Sequence, residues 1–365
     1  MSLIHKVALT LINSVGHITA KNLLGHFGSA EAIFKANRKE LMDIPGIGDA
    51  TAAEILNSDA LRVAEAQLNF SSKHNVDVLF FGDENYPKRL MECYDAPVLL
   101  YYKGNADLNH HRIVSIVGTR KATSYGRYLC RQLAEVLAAH DVLIISGLAY
   151  GIDIAAHKES LNFNIPTVGV LAHGLDRIYP QLHHSIAKNM VHQGGLITEF
   201  PLGTNPDREN FPKRNRIIAG LADATIVVEA TLKGGALITA DIANSYDRDV
   251  YAFPGRTTDE CSEGCNFLIK TNRAALINHA KDLVYYMGWE SPGGANALNV
   301  SQIQMPLGLS KEEYQIIELL KISSERIDEL SVKMSIPQSK LTMHLLNLEM
   351  QGILVSLPGK VYKLN

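Results

Sequence analysis

Between residues 110 and 288, short apolar runs recur with longer mixed stretches between them. The runs are IVSIVG (113–118), VLIISG (142–147), TVGVLA (167–172), LITEF (196–200), TIVVEA (225–230) and VYAFPG (250–255). Runs that are apolar throughout, rather than alternating, suit strands buried on both faces. The stretch SYGRYLCRQLAEVLAAH (124–140) places Leu129, Leu133, Val136, Leu137 and His140 on one helical face. This alternation predicts an α/β fold, a doubly wound Rossmann-like domain whose parallel sheet is covered on both sides. Residues 71–109 are read as adding strands and a loop to one end, so the core spans 71–288.

A chain of 365 residues has room for two or three domains. Residues 1–70 read as helical, and INSVGHITAKNLLGHF (12–27) resembles LMDIPGIGDATAAEIL (41–56) in layout. Each has an apolar lead, a Gly-containing turn and a second helix, the pattern of a helix-hairpin-helix, SAM-like domain. Its turn at Gly46-Ile47-Gly48 could offer backbone N–H groups to a phosphate or simply permit tight packing. Residues 289–308 are Gly-, Ser-, Asn- and Pro-containing without period, and read as a linker. Over 309–365, three helices starting at Ser310, near 324 and at Pro337 precede a hairpin turning at Pro358-Gly359. Three helices and a hairpin predict a winged helix. Its seven basic and seven acidic residues favour a protein-contact or auxiliary role over base reading.

Charge excludes a global polyanion field: 35 Lys plus Arg against 38 Asp plus Glu leaves −3. Any nucleic acid must therefore meet a local patch. Four cysteines form no disulfide framework and show no paired zinc-finger spacing, so neither a cofactor nor a metal is expected. Without an apolar run of 18 residues, no membrane insertion is expected, and a reduced, cytoplasmic location follows.

In parallel sheets ligands gather at the carboxyl ends of strands. There, Gly118, Thr119 and Arg120 offer a close backbone approach, a hydroxyl and a planar cation. Ser146 and Gly147 end the next strand and open SGLAYGID, with Asp153 read as a helix cap and His157 as a packed or surface histidine. FPKRNRIIAG (211–220) holds the densest basic run. Phe211, Lys213, Arg214, Asn215 and Arg216 there have the composition of a single-strand groove, where cations track phosphates and a ring stacks on bases. Phe211 could equally be a core ring beside Pro212. Lys233, Gly234 and Gly235 make a third glycine turn, followed by Thr239 and Asp241. Neither GxGxxG nor GxxxxGK[ST] occurs, which argues against dinucleotide binding and P-loop hydrolysis.

Taken in order, YPKRLMECYDAPVLLYYKG, IVSIVGTR, SGLAYGID, GLDRIYP, TEFPLGTNP, FPKRNRIIAGL, VVEATLKGGALITA, FPG and GCNFLI resemble the DNA-processing protein A (DprA, or Smf) family over about 80–275. The resemblance implies a non-enzymatic mediator that binds and protects incoming single-stranded DNA in natural transformation. It also implies help in loading RecA, work beside single-strand-binding protein, and a homodimer. By motif it carries DNA-backbone contact onto Arg120, Ser146, Gly147, Phe211, Lys213, Arg214, Asn215 and Arg216. Gly234 stands where the family more often has Ser, leaving Lys233 as a substitute, and Thr198 stands where Ser is common. A rival reading is a phosphoribohydrolase-like nucleotide hydrolase. It would need a PGGxGTxxE loop, here reduced to KGGALITAD with Asp241 in the acidic place.

Overall fold

Nine strands form one sheet in the order β1-β2-β6-β5-β4-β3-β7-β8-β9. They are β1 (Asp77–Phe80), β2 (Leu99–Gly104), β3 (Ile113–Val117), β4 (Leu143–Ser146), β5 (Thr167–Val170), β6 (Gly194–Thr198), β7 (Ala224–Val227), β8 (Asp249–Ala252) and β9 (Ala275–Leu276). This computed structural model describes residues 2–289, 309–321 and 323–364. The six apolar runs supply β3 to β8, each fully or almost fully buried. From β6 through β9 all pairings are parallel, as burial on both faces requires. The 71–109 segment adds a β1–β2 hairpin that joins β6 antiparallel, so the sheet is mixed at this edge.

The order reverses beside β3: the chain winds outward through β4, β5 and β6, then returns to β7 on the other side. The helix Ser124–Leu137 covers one face through Leu129, Cys130, Leu133, Ala134 and Leu137. The helices Asn210–Leu221 and Gly235–Ser245 cover the other, packed closely together. Trp289, placed in the linker by sequence, is buried among Ile277, Leu283 and Met287 and belongs to the core. Residues 290–308 of that linker lie outside the described residues.

The amino-terminal helices begin where the glycine turns predict: Gly16 caps His17–Phe27 and Gly48 caps Asp49–Asn57. The second helix start carries its own carboxylate, and Asp49 is paired with Arg38. This helical unit shares its apolar core with the hairpin, since Leu9, Leu41 and Ile55 cluster with Phe80, Leu99 and Tyr101. Polar ties reinforce the joint. Lys6 donates to Asp83 at 2.6 Å, and the backbone N–H of Leu202 donates to Gln67 at 2.9 Å.

Beyond residue 308, Ser310 and Glu313 form a capping box for the helix Lys311–Leu320. Two further helices, Ile327–Met334 and Gln338–Met350, pack with the strands β10 (Glu325–Arg326), β11 (Leu354–Leu357) and β12 (Val361–Leu364). This is the winged helix, and it docks on the amino end of the sheet. Asp223, just before β7, is fully buried there. It accepts from Arg89 Nε at 2.6 Å, from the Ile113 N–H at 2.8 Å and from Arg326 of the winged helix. Burial alone would raise its pKa, but the two guanidinium groups hold it below the ordinary carboxylate value. Arg248 pairs with Asp328 at 3.4 Å, and the Gly359 N–H donates to Asp249.

Removing one partner from a buried ion cluster strands the others without water, at a cost of about 3–5 kcal/mol. Asp223→Ala is therefore expected to lower unfolding stability by that order in urea titration. A loss under about 1 kcal/mol would mean that the cluster contributes no more than an exposed ion pair.

Candidate nucleic-acid interface

A small pocket opens at the carboxyl ends of β3, β4 and β5. Its walls come from Arg120, Leu148–Tyr150, Val170–His173, Tyr179, Pro180, Phe211 and Arg214. Arg120 is exposed in the loop after β3, and its guanidinium lies 5.1 Å over the Phe211 ring. The Arg214 guanidinium lies over the same ring at 6.0 Å, and Tyr179 stands 6.4 Å from it. Phe211 is half-buried, with one cation exposed beside it and another buried. Tyr150 and Tyr179 are nearly half exposed at the rim.

Arg214 is the buried cation of the site. One terminal nitrogen donates to the Val170 carbonyl at 2.7 Å, while Nε is buried without a partner. Burial pushes its pKa down, opposed by the charge of Asp153. Burial likewise raises Asp153, against the pull of Arg214 and the Ala149 N–H. Asp153 does not cap its helix as the sequence reading expects. Gly151 is the cap, at φ 84°, and Asp153 sits in the first turn facing inward. Gly147 permits this crowding, because a Cβ there would strike both Arg214 and Asp153.

Several residues expected to meet phosphate also have partners within the fold. Ser146 is fully buried and donates its hydroxyl to the Ile116 carbonyl at 2.6 Å. The Thr119 hydroxyl accepts from the Lys121 N–H, and a Cβ on Gly118 would strike Ile152 and Glu229. Gly118 thus serves close packing between elements. Arg216 pairs with Glu199, which also takes His17 at 2.6 Å, so this cation joins the helical unit to the core. Asn215 donates to the Gly235 carbonyl at 3.4 Å and connects the basic helix to the third glycine turn. Lys213, Lys233 and Gly235 are exposed and Gly234 half-buried. Among the described residues, Arg120, Lys213 and Lys233 have no carboxylate within ion-pair distance.

Tyr150, Tyr179 and His173 were not singled out by the sequence reading. Their signals lay in SGLAYG, GLDRIYP and the apolar run ending at Ala172. His173 has both nitrogens engaged: Nδ1 donates to the Gly174 carbonyl and Nε2 accepts from the Tyr179 N–H. His157 is wholly buried, donating from Nε2 to the Gly147 carbonyl at 2.6 Å and accepting from the Thr167 hydroxyl at Nδ1. It holds the glycine loop, as a packed histidine does. At the strand-order reversal itself, Glu229 accepts from the Thr123 N–H at 2.9 Å and the Thr123 hydroxyl, bracing the start of the helix Ser124–Leu137. The groove beside it holds Asp259 and Glu260 with Arg256, so the cationic surface lies to one side of the reversal. Asp241 points outward and pairs with Arg273 at 3.2 Å, away from the carboxyl edge. That removes the acid on which the hydrolase reading depended.

Comparison with known proteins agrees with this geometry. Residues 77–288 match the family described as DNA recombination-mediator protein A. Residues 7–58 match the SAM-like helix-hairpin-helix tandem, and 304–360 match the DprA winged helix domain. The Smf protein of Synechocystis is 36% identical over 286 residues, covering 77% of this chain and 72% of that one. The structure of DNA processing protein A from Streptococcus pneumoniae superposes with a TM-score of 0.66 at 32% identity, covering 77% of this chain and 96% of that one. DNA processing protein A from Helicobacter pylori, solved for its single-stranded DNA binding mode, gives 0.53 at 30% identity over 59% and 96%.

Burial holds the His157 pKa down at about 4, against about 6.5 when unfolded. Its contribution to stability is complete above pH 6.5 and is lost as the pH falls towards 4, because the unfolded chain then binds the proton. The slope is at most about 1.4 kcal/mol per pH unit. Urea titrations at pH 7, 6 and 5 should show that decline flattened in His157→Gln. An unchanged slope would assign the acid sensitivity to other groups.

Proposed function

The chain belongs to the DNA-processing protein A (DprA/Smf) family, and we propose that it binds single-stranded DNA at this pocket as a recombination mediator in transformation. The observation that carries the reading is the Phe211 ring with two guanidinium groups over it, the exposed one of Arg120 and the buried one of Arg214. A base can stack on an aromatic face while the cation beside it meets a phosphate. Lys213 and Lys233 extend the exposed cationic edge past the pocket. Tyr150 and Tyr179 supply further faces for unstacked bases.

The site suits binding more than chemistry. His173 is committed at both nitrogens, and Arg214 donates to the Val170 carbonyl within the charge field of Asp153. Family membership supports the rest of the proposal: protection of the incoming strand, RecA loading beside single-strand-binding protein, and a homodimer that extends the track. It also supports a cytoplasmic site of action. Among the described residues no helix is long and apolar enough to cross a membrane.

Fluorescence anisotropy with oligo-dT of several lengths, against matched duplex at two salt concentrations, tests the reading. Affinity should favour the single strand, rise with length and fall with salt. Arg120→Ala and Lys213→Ala should each lower the salt slope by about 0.7 per lost phosphate contact. Phe211→Ala should cost about 1–3 kcal/mol of binding with thermal stability retained. Absence of binding at low salt would overturn the proposal, and a purely thermal defect in Phe211→Ala would return that ring to the core.

A further inference from the structure

At the amino end of the sheet, opposite the pocket, three metal-ligating side chains converge. His110 and His111 end the segment entering β3. Asp141 sits in the turn before β4, in a left-handed conformation at φ 48°. One ligand atom from each lies within 4.8 Å of the other two, the only such grouping of three or more His, Cys, Asp and Glu among the described residues. His110 Nε2 is 3.3 Å from one Asp141 oxygen, and His111 Nε2 is 3.7 Å from the other.

These spacings are too long for charge-assisted hydrogen bonds, which close to about 2.7–2.9 Å. The 3.3 Å spacing matches a shared cation, because ligand atoms about 2.0–2.1 Å from a tetrahedral zinc stand about 3.3–3.4 Å apart, and the exposed His111 ring at 3.7 Å has to close by only a few tenths of an ångström to join it. Ring orientation agrees. His110 Nδ1 lies 3.1 Å from the Arg112 carbonyl, closer than the 3.4 Å to the Arg112 N–H. With the Nδ1 proton donated to that carbonyl, Nε2 presents a lone pair to the Asp141 carboxylate. A backbone carbonyl on the far nitrogen is the usual orienting partner of a metal-bound histidine. Two acceptors facing each other across 3.3 Å are relieved by a cation between them. Arg112 does not take that place: its guanidinium donates to the His140 carbonyl at 2.6 Å and lies 5.5 Å over Trp289.

We propose that His110, His111 and Asp141 form a zinc-type divalent cation site with a fourth position open to water. The site braces the leads into β3 and β4. The His111 carbonyl accepts from both Arg89 and Arg326, so the metal stiffens the platform on which the winged helix docks.

The test is calorimetric titration of the full chain with Zn²⁺ at pH 7.5, repeated with Co²⁺ and its visible absorption. His111→Ala and Asp141→Asn serve as variants; both positions are exposed, and Asn suits the left-handed backbone. One equivalent should bind to the unsubstituted chain, and each variant should lose at least about tenfold in affinity, the lower range for disturbing even an outer-shell partner. Zinc should raise the melting temperature of the unsubstituted chain only. Absence of uptake, or equal uptake by all three proteins, would overturn the proposal. So would a metal-free loss of stability in both variants with unchanged zinc affinity, since that result describes an ion-paired cluster alone.

Discussion

One buried carboxylate organises the amino end of this protein. Asp223 gathers the β3 backbone, Arg89 from the segment after β1, and Arg326 from the winged helix. Two guanidinium groups against one carboxylate would leave surplus charge. The Asp249 carboxylate, which accepts from the Gly359 N–H, supplies a compensating negative charge nearby, while Arg248 is matched by Asp328. Arg89, Arg248 and Arg326 at this end thus each face a carboxylate within the fold. At the opposite end Arg120, Lys213 and Lys233 lack carboxylate partners among the described residues. A chain of net charge −3 can attract a polyanion only if its cations are sorted in this way.

The pocket shows how a buried cation and an exposed one divide the work. Desolvating Arg214 is costly, and the cost is offset by the Val170 carbonyl and the nearby Asp153 charge. Those partners hold the guanidinium against Phe211. Arg120 stays in water, where it can exchange solvent for phosphate at little cost. Glycine at 147 is the condition for the arrangement, since any side chain there would occupy the space that Arg214 and Asp153 fill.

The parallel core was legible because strands buried on both faces must be apolar throughout, and β3 to β8 are. The winged helix was legible from three helical stretches and a hairpin, with Ser310 and Pro337 marking helix starts, and both residues are N-caps in the structure. The antiparallel hairpin was less so, since β1 and β2 join β6 through contacts far apart in sequence. Within FPKRNR the composition showed a basic site but not the assignment of each cation. Phe211 and Arg214, three apart, share a helix face, whereas Arg216 lies about 200° round from Arg214. It finds Glu199, seventeen residues upstream. A sequence does not show which hydroxyl already has a carbonyl beside it, as buried Ser146 has that of Ile116. Tyr150 and Tyr179 sit in loops, where no periodicity marks which rings face a pocket.

The core shared between the amino-terminal helices and the β1–β2 hairpin has a further implication for how such a chain can be divided. Phe80, Leu99 and Tyr101 face those helices, and β1 is the outermost strand of its side of the sheet. A fragment beginning at residue 71 would bare an apolar face beside an unpaired strand edge, the combination that draws chains together edge to edge. Recombining this core with a different amino-terminal unit would therefore require a new apolar cover or a more polar hairpin. The helices act as the lid of the sheet as much as a module in their own right.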